Sequence, residues 1–427
     1  MLTRDAHGAV VGGISLVELL RDGAIETPAY VYDLDAMEAE ARALEAGFEG
    51  RPHLVAYAVK ANSAGPVVRA LARGGCGAEV VSGAELAVAL ACGIPPERVL
   101  YSGVGKLARE IDGAIGAGNR GIHAIQMESV EEIARVEARA AALGRRARVS
   151  IRVNPGIEAD THAHVATGHD EAKFGVARAD LAAAWEALAR SPHLDLVGLS
   201  SHVGSQLTAT GEYLAAAEVL LALAVDRRQA GARFEFIDFG GGFGVDYGAG
   251  CPVKPADFAR AGAKLLDASP LAALELVVEP GRSLVAAHGA LCASVISAKR
   301  SITITGEGDR RWLIIDAGMN DLIRPALYAA RHRIEPLDGD GVPAATAPAY
   351  RVVGPVCESS DDFGAHPFDA VPERVVIRDV GAYGFTMASE YNGRALPTEV
   401  FLRGGRVDSI HASPGVDAWV AQRLGTV

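Results

Sequence analysis

The sequence predicts an α/β protein built from a (β/α)8 TIM-like barrel and a mostly antiparallel C-terminal β domain. Between residues 53 and 282, eight short apolar runs alternate with segments rich in Ala, Leu, Glu and Arg, the residues that favour helix. Eight repeats over this length are typical of a parallel barrel, whereas a doubly wound open sheet usually has fewer strands. After about residue 285 the β-like runs are instead separated by turn signals.

The eight apolar runs are the predicted barrel strands. They are Leu54–Ala58, Ala78–Val81, Val99–Ser102, His123–Met127, Val149–Val153, Val197–Ser201, Phe236–Phe239 and Leu276–Glu279. Segments of helical composition lie between them, at Gly83–Cys92, Val130–Leu143, Arg178–Arg190 and Glu212–Gln229. This alternation of strand and helix predicts βαβ units and therefore a parallel sheet.

The β-like runs in the rest of the chain predict the β domain. Its β-like runs are Val295–Ile304, Trp312–Asp316, Tyr350–Gly354, Arg374–Val380 and Glu399–Arg403, with a short helix near Leu322–Ala330 and a loop over Asp338–Pro348. The run Ala29–Tyr32 precedes the barrel and is a candidate to join the C-terminal sheet. We therefore expect a barrel over residues 36–285 and a β domain made of residues 1–35 and 286–427.

Composition excludes several classes of protein. A net charge of −12 without a basic cluster argues against nucleic-acid binding. We find neither a signal-peptide pattern nor an apolar run of membrane-spanning length, so we expect a cytoplasmic protein with no membrane partner. The five cysteines form no CxxC, which argues against a disulfide framework or a zinc ribbon. His162, His164 and His169 have no carboxylate at ligand spacing, and we expect no metal site.

A lysine follows the first predicted barrel strand, in Tyr57-Ala58-Val59-Lys60-Ala61-Asn62. The C-terminal ends of the strands carry the active site in barrels of this kind. Burial of Lys60 there would disfavour its ammonium form and leave a nucleophilic amine that can form an imine. The local pattern equally suits a solvated lysine at a strand end. The other strand ends must therefore decide between the two interpretations.

Polar and glycine-rich motifs follow the later strands. They are Arg152 and Asn154, Ser201-His202-Val203-Gly204-Ser205-Gln206, Gly240-Gly241-Gly242-Phe243-Gly244 and Glu279-Pro280-Gly281-Arg282. Groups that are costly to bury thus converge on one face, which predicts a shared site. The glycine loop either makes a tight turn or presents backbone N–H groups to a phosphate, and its place after strand seven favours the phosphate.

Two of these side chains are candidates for cofactor binding. A carboxylate at the depth of Glu279 requires a cation, which could be Arg282, Arg152 or a protonated pyridine ring. Pairing with a pyridine nitrogen would keep such a ring a strong electron sink. His202 is either a core histidine or a ring that stacks on the cofactor, and its position near Ser205 favours the second interpretation.

A second cluster of candidate residues lies in the predicted β domain. The segment Gly354-Pro355-Val356-Cys357-Glu358 pairs a carboxylate with a thiol that could donate a proton, although a cysteine after a valine is usually a buried small hydrophobe. Arg324 and Tyr328 are four residues apart, so one helical turn would place them on the same face. The guanidinium of Arg324 suits a substrate that carries a carboxylate. Tyr383 lies in the glycine-flanked segment Gly381-Ala382-Tyr383-Gly384.

Taken in order, these motifs resemble those of the diaminopimelate decarboxylase family, pyridoxal-phosphate enzymes with an alanine-racemase-like barrel. The resemblance runs from about residue 28 to residue 420. Each motif on its own is shared with ornithine and arginine decarboxylases. The features that look more specific to the diaminopimelate branch are Arg324 with Tyr328, Glu358 after the cysteine, and Thr167-Gly168 followed by Lys173-Phe174-Gly175-Val176.

The resemblance implies how the cofactor is bound. Pyridoxal 5'-phosphate would form an imine with Lys60, lie against His202 and place its pyridine nitrogen on Glu279. The residues around its phosphate or the substrate would be Ser205, Gly242, Gly281, Arg282 and Tyr383.

The resemblance also implies how the substrate is bound. The residues that would hold the distal end of diaminopimelate are Arg282, Arg324, Tyr328, Glu358 and Tyr383. Cys357 would protonate the carbanion left by decarboxylation. In the family, the residues that match Cys357 and Glu358 reach the site of the neighbouring subunit. The resemblance therefore implies a homodimer with shared active sites, in which the β domain contributes substrate and dimer contacts.

The implied reaction converts meso-2,6-diaminopimelate to L-lysine and carbon dioxide, the last step of lysine biosynthesis. The alternative is a related decarboxylase that acts on ornithine, a carboxylated polyamine or a carrier-bound amino acid. A racemase fits less well, because racemases of this fold place an arginine where this chain has Glu279, and a non-catalytic carrier would usually lack the β domain. One departure from the family is Glu79, where aspartate is frequent, and its extra methylene would shift nearby hydrogen bonds.

Overall fold

The computed structural model describes residues 2–21, 23–157, 173–251, 253–302 and 309–425, so His162, His164, Thr167, Gly168 and His169 lie outside the described residues. The chain divides into two compact units. The barrel unit comprises residues 38–245 and 251–284, and the β unit comprises the residues up to 37, residues 246–250 and the residues from 285 onward. Residues 246–250 thus group with the β unit, although they lie inside the interval that the sequence assigns to the barrel.

The N-terminal segment is largely β structure. It contains β1 (Thr3–Arg4), β2 (Ala9–Val11), β3 (Ile14–Ser15), α1 (Leu16–Leu19) and β4 (Ala29–Asp33), and α2 (Leu34–Ala46) follows. The first three strands form a small antiparallel sheet. Every residue of β4 is buried, in keeping with its apolar and aromatic sequence.

Eight parallel strands close into a barrel in the barrel unit. The elements are β5 (His53–Ala58), α3 (Gly65–Arg73), β6 (Gly77–Val80), α4 (Gly83–Ala91), β7 (Val99–Tyr101), α5 (Ala108–Gly116), β8 (Ala124–Met127), α6 (Val130–Leu143), β9 (Ala147–Val153), α7 (Leu181–Ala189), β10 (Leu194–Ser201), α8 (Gly211–Gln229), β11 (Phe236–Gly241), α9 (Pro255–Asp267) and β12 (Glu275–Glu279). The predicted barrel is confirmed. Closure of the sheet excludes the doubly wound alternative.

The barrel interior changes from apolar to polar along the strands. Side chains two residues apart on a strand share a face. One buried cluster contains Leu54, Ala56, Leu100, Ala124, Val197, Phe236 and Val277. Two positions further along four of these strands, the buried residues are Ser102, Gln126, Asp238 and Glu279. Apolar side chains thus fill the barrel, and polar side chains lie nearer the C-terminal ends of the strands.

The β unit contains a larger, mixed sheet. Its further elements are α10 (Arg282–Val285), β13 (Gly289–Ile302), β14 (Asp309–Ile315), α11 (Arg324–Tyr328), β15 (Ile334–Pro336), β16 (Ala349–Val353), β17 (Asp362–Pro367), β18 (Arg374–Arg378), β19 (Thr398–Arg403), β20 (Arg406–His411) and α12 (Gly415–Leu424). The main path of the sheet is β17-β16-β14-β13-β4-β19-β20. Pairing is antiparallel except between β14 and β16 and between β4 and β19.

The predicted β domain is therefore confirmed as mostly antiparallel, and Ala29–Tyr32 does join its sheet, between β13 and β19. The predicted loop over Asp338–Pro348 contains neither helix nor strand. Strands β15, β17 and β20 and helix α12 were not predicted. Among the described residues, we find no helix with the length and apolar character needed to cross a membrane.

A buried carboxyl group lies between β14 and α11. Asp321 is 1% exposed and accepts hydrogen bonds from the backbone N–H of Gly318 at 2.8 Å and from Nδ2 of Asn320 at 2.9 Å. Burial is the largest cause that raises the pKa of Asp321 to about 7. The folded protein therefore binds this proton more tightly than the unfolded chain does.

We expect Asp321→Asn to reduce the loss of stability as the pH rises. The stability that protonated Asp321 contributes is present below about pH 4 and is lost as the pH rises to 7, a change of at most about 3 kcal/mol between pH 5 and pH 7. Asparagine does not titrate, so the Tm of the variant minus that of the wild type should increase from pH 5 to pH 8. Thermal unfolding at a fixed scan rate measures this difference.

The control for this prediction is Asp112→Asn. Asp112 is partly exposed on α5, where it pairs with Arg139 at 2.6 Å. Its Tm difference from the wild type should stay level over the same pH range. A level difference for Asp321→Asn as well would contradict the prediction.

Candidate active site

Lys60 lies directly after β5, in the single 3₁₀ turn Val59–Ala61. Its Nζ donates to Oε2 of Glu79 at 2.6 Å. The pairing follows from the strand register, because Ala58 on β5 lies opposite Glu79 on β6. Glu79 is 1% exposed, but the side chain of Lys60 is 42% exposed. The expectation that Lys60 is buried is therefore wrong, and the buried side chain of Glu79 instead holds its amino group in place.

Four buried polar side chains form a hydrogen-bonded network inside the barrel. Nε2 of Gln126 donates to Oδ2 of Asp238 at 2.6 Å and to Oε1 of Glu279 at 3.0 Å. The hydroxyl of Ser102 donates to Oε1 of Gln126 at 2.9 Å. Oδ1 of Asp238 accepts the backbone N–H of Gly240 at 2.8 Å. The carboxamide of Gln126 thus bridges the two carboxyl groups.

The two carboxyl groups differ in their affinity for a proton. Burial, followed by the charges of Asp238 and Glu79, raises the pKa of Glu279 well above its ordinary value. Burial also raises the pKa of Asp238 to about 6, although hydrogen bonds from Gly240, Glu279 and Gln126 lower it. Near neutral pH the carboxyl group of Asp238 is therefore ionised, whereas Glu279 binds a proton more tightly than an ordinary glutamate. A protonated ring nitrogen is a partner that would allow Glu279 to ionise as well.

The two arginines considered as partners for Glu279 have other hydrogen bonds. Nη1 of Arg152 donates to Oε1 of Glu128 at 2.9 Å. Nη2 of Arg282 donates to the hydroxyl of Ser205 at 2.9 Å, which joins the motifs after strands six and eight. Arg282 and Ser205 are thus held together, as a site for an anionic group requires.

His202 is neutral in this structure. Burial is the largest cause that lowers the pKa of His202, and the nearby charges of Arg152 and Lys60 lower it further. Nδ1 of His202 accepts the backbone N–H of Gly241 at 3.2 Å, so the ring is anchored to the glycine loop. A neutral, anchored imidazole suits contact with the face of an aromatic cofactor.

The glycine loop is packed tightly against its neighbours. Gly242 has φ of +85°, and a Cβ there would lie 2.0 Å from the carbonyl oxygen of Gly204. A Cβ on Gly241 would lie 1.9 Å from the carbonyl oxygen of Glu279. Close packing and positive φ explain these glycines without a ligand, so phosphate binding by Gly242 stays a prediction. Gly281 is packed on β5, where its Cβ would lie 3.0 Å from Cβ of Ala58.

The β unit holds Arg324 between two rings. Arg324 is 5% exposed, and its Nη1 donates to Nε2 of His332 at 2.8 Å. Because Nε2 of His332 accepts, Nδ1 carries the hydrogen and donates to the carbonyl oxygen of Arg378 at 3.0 Å. The guanidinium also lies 4.8 Å from the ring centre of Tyr247. Arg324 is thus positioned rather than freely solvated. Tyr328 is half-buried at the other end of α11.

The other candidates of the β unit differ in exposure. Cys357 and Glu358 are exposed, so the interpretation of Cys357 as a buried small hydrophobe is wrong. The backbone N–H of Cys357 donates to Oδ1 of Asn392 at 2.8 Å, which fixes this part of the loop. Tyr383 has φ of +55°, a strained conformation for a residue that is not glycine, and such strain is frequent at functional sites.

The structure thus brings together the barrel candidates at the C-terminal ends of the strands: Lys60, His202, Ser205, Gly242, Glu279, Gly281 and Arg282. Among the residues of these clusters that sequence reasoning missed are Gln126, Asp238, Tyr247 and His332. A signal for the first two was present, because each lies two residues after an apolar core residue on a predicted strand. Tyr247 and His332 carry no such local signal, since their contacts depend on long-range packing.

Comparison with known proteins identifies the family. Residues 34–286 match the pyridoxal binding domain of the pyridoxal-dependent decarboxylases. The chain is 40% identical over 398 residues to the diaminopimelate decarboxylase of Zymomonas mobilis, covering 92% of this chain and 91% of the relative. It is 41% identical over 389 residues to that of Pseudomonas aeruginosa, covering 90% and 89%. The chain belongs to the diaminopimelate decarboxylase family.

Solved structures of diaminopimelate decarboxylases share this fold. The enzyme from Helicobacter pylori, complexed with L-lysine, is 35% identical and superposes with a TM-score of 0.85, covering 96% of this chain and 99% of that one. The enzyme from M. jannaschii, in co-complex with L-lysine, is 30% identical with a TM-score of 0.88, covering 99% and 97%.

The cofactor of this family is pyridoxal 5'-phosphate, and the barrel residues fit it. An aldehyde requires an amine, which Lys60 supplies at the end of β5. A pyridine nitrogen requires an acid, and Glu279 is a buried carboxyl group whose proton affinity is raised. The neutral ring of His202 and the pair of Arg282 with Ser205 suit an aromatic ring and a phosphate, respectively.

We expect His332→Leu to impair substrate binding through Arg324. Leucine removes the acceptor that holds the guanidinium, so the KM for a substrate with a carboxylate at that position should rise about tenfold, with a smaller change in kcat. His332→Gln offers an amide oxygen and should recover part of the loss. Steady-state kinetics give both constants. Equal KM values for His332→Leu and the wild type would show that this contact does not position Arg324.

Proposed function

We propose that this protein decarboxylates meso-2,6-diaminopimelate, with uptake of one proton, to L-lysine and carbon dioxide, the last step of lysine biosynthesis. The observation that carries the proposal is about 40% identity to diaminopimelate decarboxylases over nine-tenths of the chain. The H. pylori and M. jannaschii enzymes were both solved with L-lysine, the product of this reaction. The chemistry of the barrel residues is compatible with it.

Each barrel residue has a proposed part in holding the cofactor. Lys60 binds its aldehyde carbon, and Glu79 orients the Lys60 nitrogen through the 2.6 Å contact. Glu279 holds the pyridine nitrogen, and the neutral His202 lies against the ring. Residues proposed to lie around the phosphate or the substrate are Ser205, Gly242, Gly281 and Arg282, together with Tyr383 of the β unit. When bound, the cofactor supplies an electron sink for the electron pair that remains after carbon dioxide leaves.

The residues of the β unit have proposed parts in substrate recognition and proton transfer. We propose that the distal amino-acid end of diaminopimelate is held by Arg282, Arg324, Tyr328, Glu358 and Tyr383. The thiol of Cys357 delivers a proton to the α-carbon that has lost its carboxyl group. Support comes from the buried, oriented guanidinium of Arg324, which is suited to a carboxylate, and from the exposure of Cys357.

The main rival is a decarboxylase of ornithine, a carboxylated polyamine or a carrier-bound amino acid. Ornithine lacks a distal carboxylate, so a buried and ordered Arg324 would have no anionic partner on it. The position of Arg324 between His332 and Tyr247 therefore favours a substrate with two carboxyl groups.

We also propose a homodimer with shared active sites in the cytoplasm. Cys357 and Glu358 are exposed in the chain, as residues that serve a neighbouring subunit must be. Leu327 and Tyr391 are further exposed side chains of the β unit that a partner could cover. The structure describes all five cysteines and joins none of them in a disulfide, which suits a reducing compartment.

The first test of the proposed function is release of labelled carbon dioxide from meso-diaminopimelate by the purified protein. We expect carbon dioxide and L-lysine in equal amounts. Lys60→Ala should abolish both, because the cofactor can no longer be attached. Borohydride reduction followed by peptide mapping should find the cofactor on Lys60 in the wild type.

The same assay with ornithine distinguishes a diaminopimelate decarboxylase from a related decarboxylase that acts on ornithine. Turnover of ornithine at the rate found for diaminopimelate would favour the related decarboxylase. In that case Arg324→Ala would leave the rate on ornithine unchanged. For the proposed function, Arg324→Ala should instead raise the KM for diaminopimelate while cofactor binding stays the same.

The second test addresses the shared sites. Lys60→Ala and Cys357→Ala should each be strongly impaired as homodimers. If Cys357 serves the partner's site, a heterodimer of the two variants contains one complete site. Random mixing on co-expression should then restore about a quarter of the wild-type activity. No recovery above the separate variants, with heterodimers shown by mass spectrometry, would place Cys357 and Lys60 in the same subunit's site.

A further inference from the structure

The barrel contains a second buried acid, Asp238, beside the acid proposed to hold the ring nitrogen. We propose that Asp238, bridged to Glu279 by Gln126, is a positioning residue that sets how firmly the cofactor's ring nitrogen holds its proton. This inference rests on the proposed role of Glu279 and extends it to two residues for which neither the sequence motifs nor the fold gives a function.

The hydrogen bonds of Gln126 leave it a single orientation. Its oxygen accepts the hydroxyl of Ser102 at 2.9 Å, so its nitrogen must face the two acids. One N–H donates to Asp238 at 2.6 Å and the other to Glu279 at 3.0 Å. Ser102, Gln126 and Asp238 are at most 2% exposed, and Glu279 is 9% exposed. The network therefore lies in a dry interior, where charges act on one another strongly.

The groups around the two acids leave the charge of Asp238 largely uncompensated. The ionisable groups that face them from the surrounding elements are Lys60, Glu79, Arg152, His202 and Tyr213. Lys60 is paired with Glu79, and Arg152 with Glu128. His202 has a lowered pKa and Tyr213 a raised one, so both are neutral. The carboxylate of Asp238 is instead stabilised by hydrogen bonds from the N–H of Gly240, from Glu279 and from Gln126.

An ionised Asp238 makes it harder to remove the proton shared by Glu279 and its partner. A negative charge close to a carboxyl group raises the affinity of that group for a proton. When a ring nitrogen is bound to Glu279, the same charge favours a proton between the two. Asp238 thus keeps the ring protonated to a higher pH than Glu279 would alone, and a protonated ring is the better electron sink.

The experiment is a pH titration of the holoenzyme that carries cofactor labelled with ¹⁵N at the pyridine nitrogen. Solid-state ¹⁵N NMR distinguishes the protonated from the unprotonated nitrogen and does not depend on turnover. In Asp238→Asn the midpoint should fall by at least about one pH unit, a tenfold loss of proton affinity. A midpoint equal to that of the wild type would overturn the proposal.

Gln126→Leu gives an independent test in which both acids are kept. Leucine removes the two N–H donors that stabilise the ionised carboxylates, so proton affinity should rise and the midpoint should move upward. The opposite directions of the two variants are not expected from a general loss of packing. If Asp238→Asn does not fold, an unchanged or lowered midpoint in Gln126→Leu overturns the proposal on its own.

Two further variants separate the role proposed for Asp238 from the role proposed for Glu279. Asp321→Asn removes a buried carboxyl group in the β unit and should leave the midpoint unchanged, and a shift there as large as in Asp238→Asn would overturn the proposal. Glu279→Gln should leave the ring nitrogen unprotonated across the range. A Glu279→Gln titration that matches the wild type would refute the role proposed for Glu279 itself, whatever Asp238 does.

Discussion

The dryness of the barrel interior is the constraint on which the site depends. A carboxyl group buried in this interior is stabilised by partners on other strands, because an unpaired buried charge is costly. Lys60 and Glu79 meet across β5 and β6, and Gln126 joins β8 to β11 and β12. The same register that closes the barrel therefore selects these partners. Closing the sheet and orienting the reactive groups are consequences of one arrangement of strands.

The two units orient their candidate side chains in different ways. In the barrel the candidate groups come from the ends of successive strands and are oriented by one another. In the β unit Arg324 sits on a one-turn helix, which is too short to fix a long side chain. Two aromatic rings do so instead, that of His332 just before β15 and that of Tyr247 in residues 246–250. The grouping of that short segment with the β unit thus has a physical reason in the packing of Tyr247 on Arg324.

Much of the fold and part of the site could be predicted from the sequence. Apolar runs and helical segments identified all eight barrel strands, since parallel strands are buried on both faces and stand out in a single sequence. The positions of Lys60 and Glu279 at strand ends were predicted as well. The exposure of Lys60 was not predicted, because solvent access depends on the turn after β5 rather than on the strand. Edge strands such as β17 and β20 were missed, since one face is solvated and their composition resembles that of loops.

The pairing of strand β4 restricts the order in which the protein can fold during synthesis. It precedes the barrel in the chain, yet it pairs with strands that begin at residues 289 and 398. One of its hydrogen-bonding edges must wait for β13 and the other for β19, and both strands follow the whole barrel in the chain. The barrel sequence is complete before either strand is synthesised and can collapse around its own local contacts. During this interval an apolar segment stays unpaired, and such an edge is prone to associate with another nascent chain. The sheet of the β unit can thus be completed only after the barrel sequence has been synthesised.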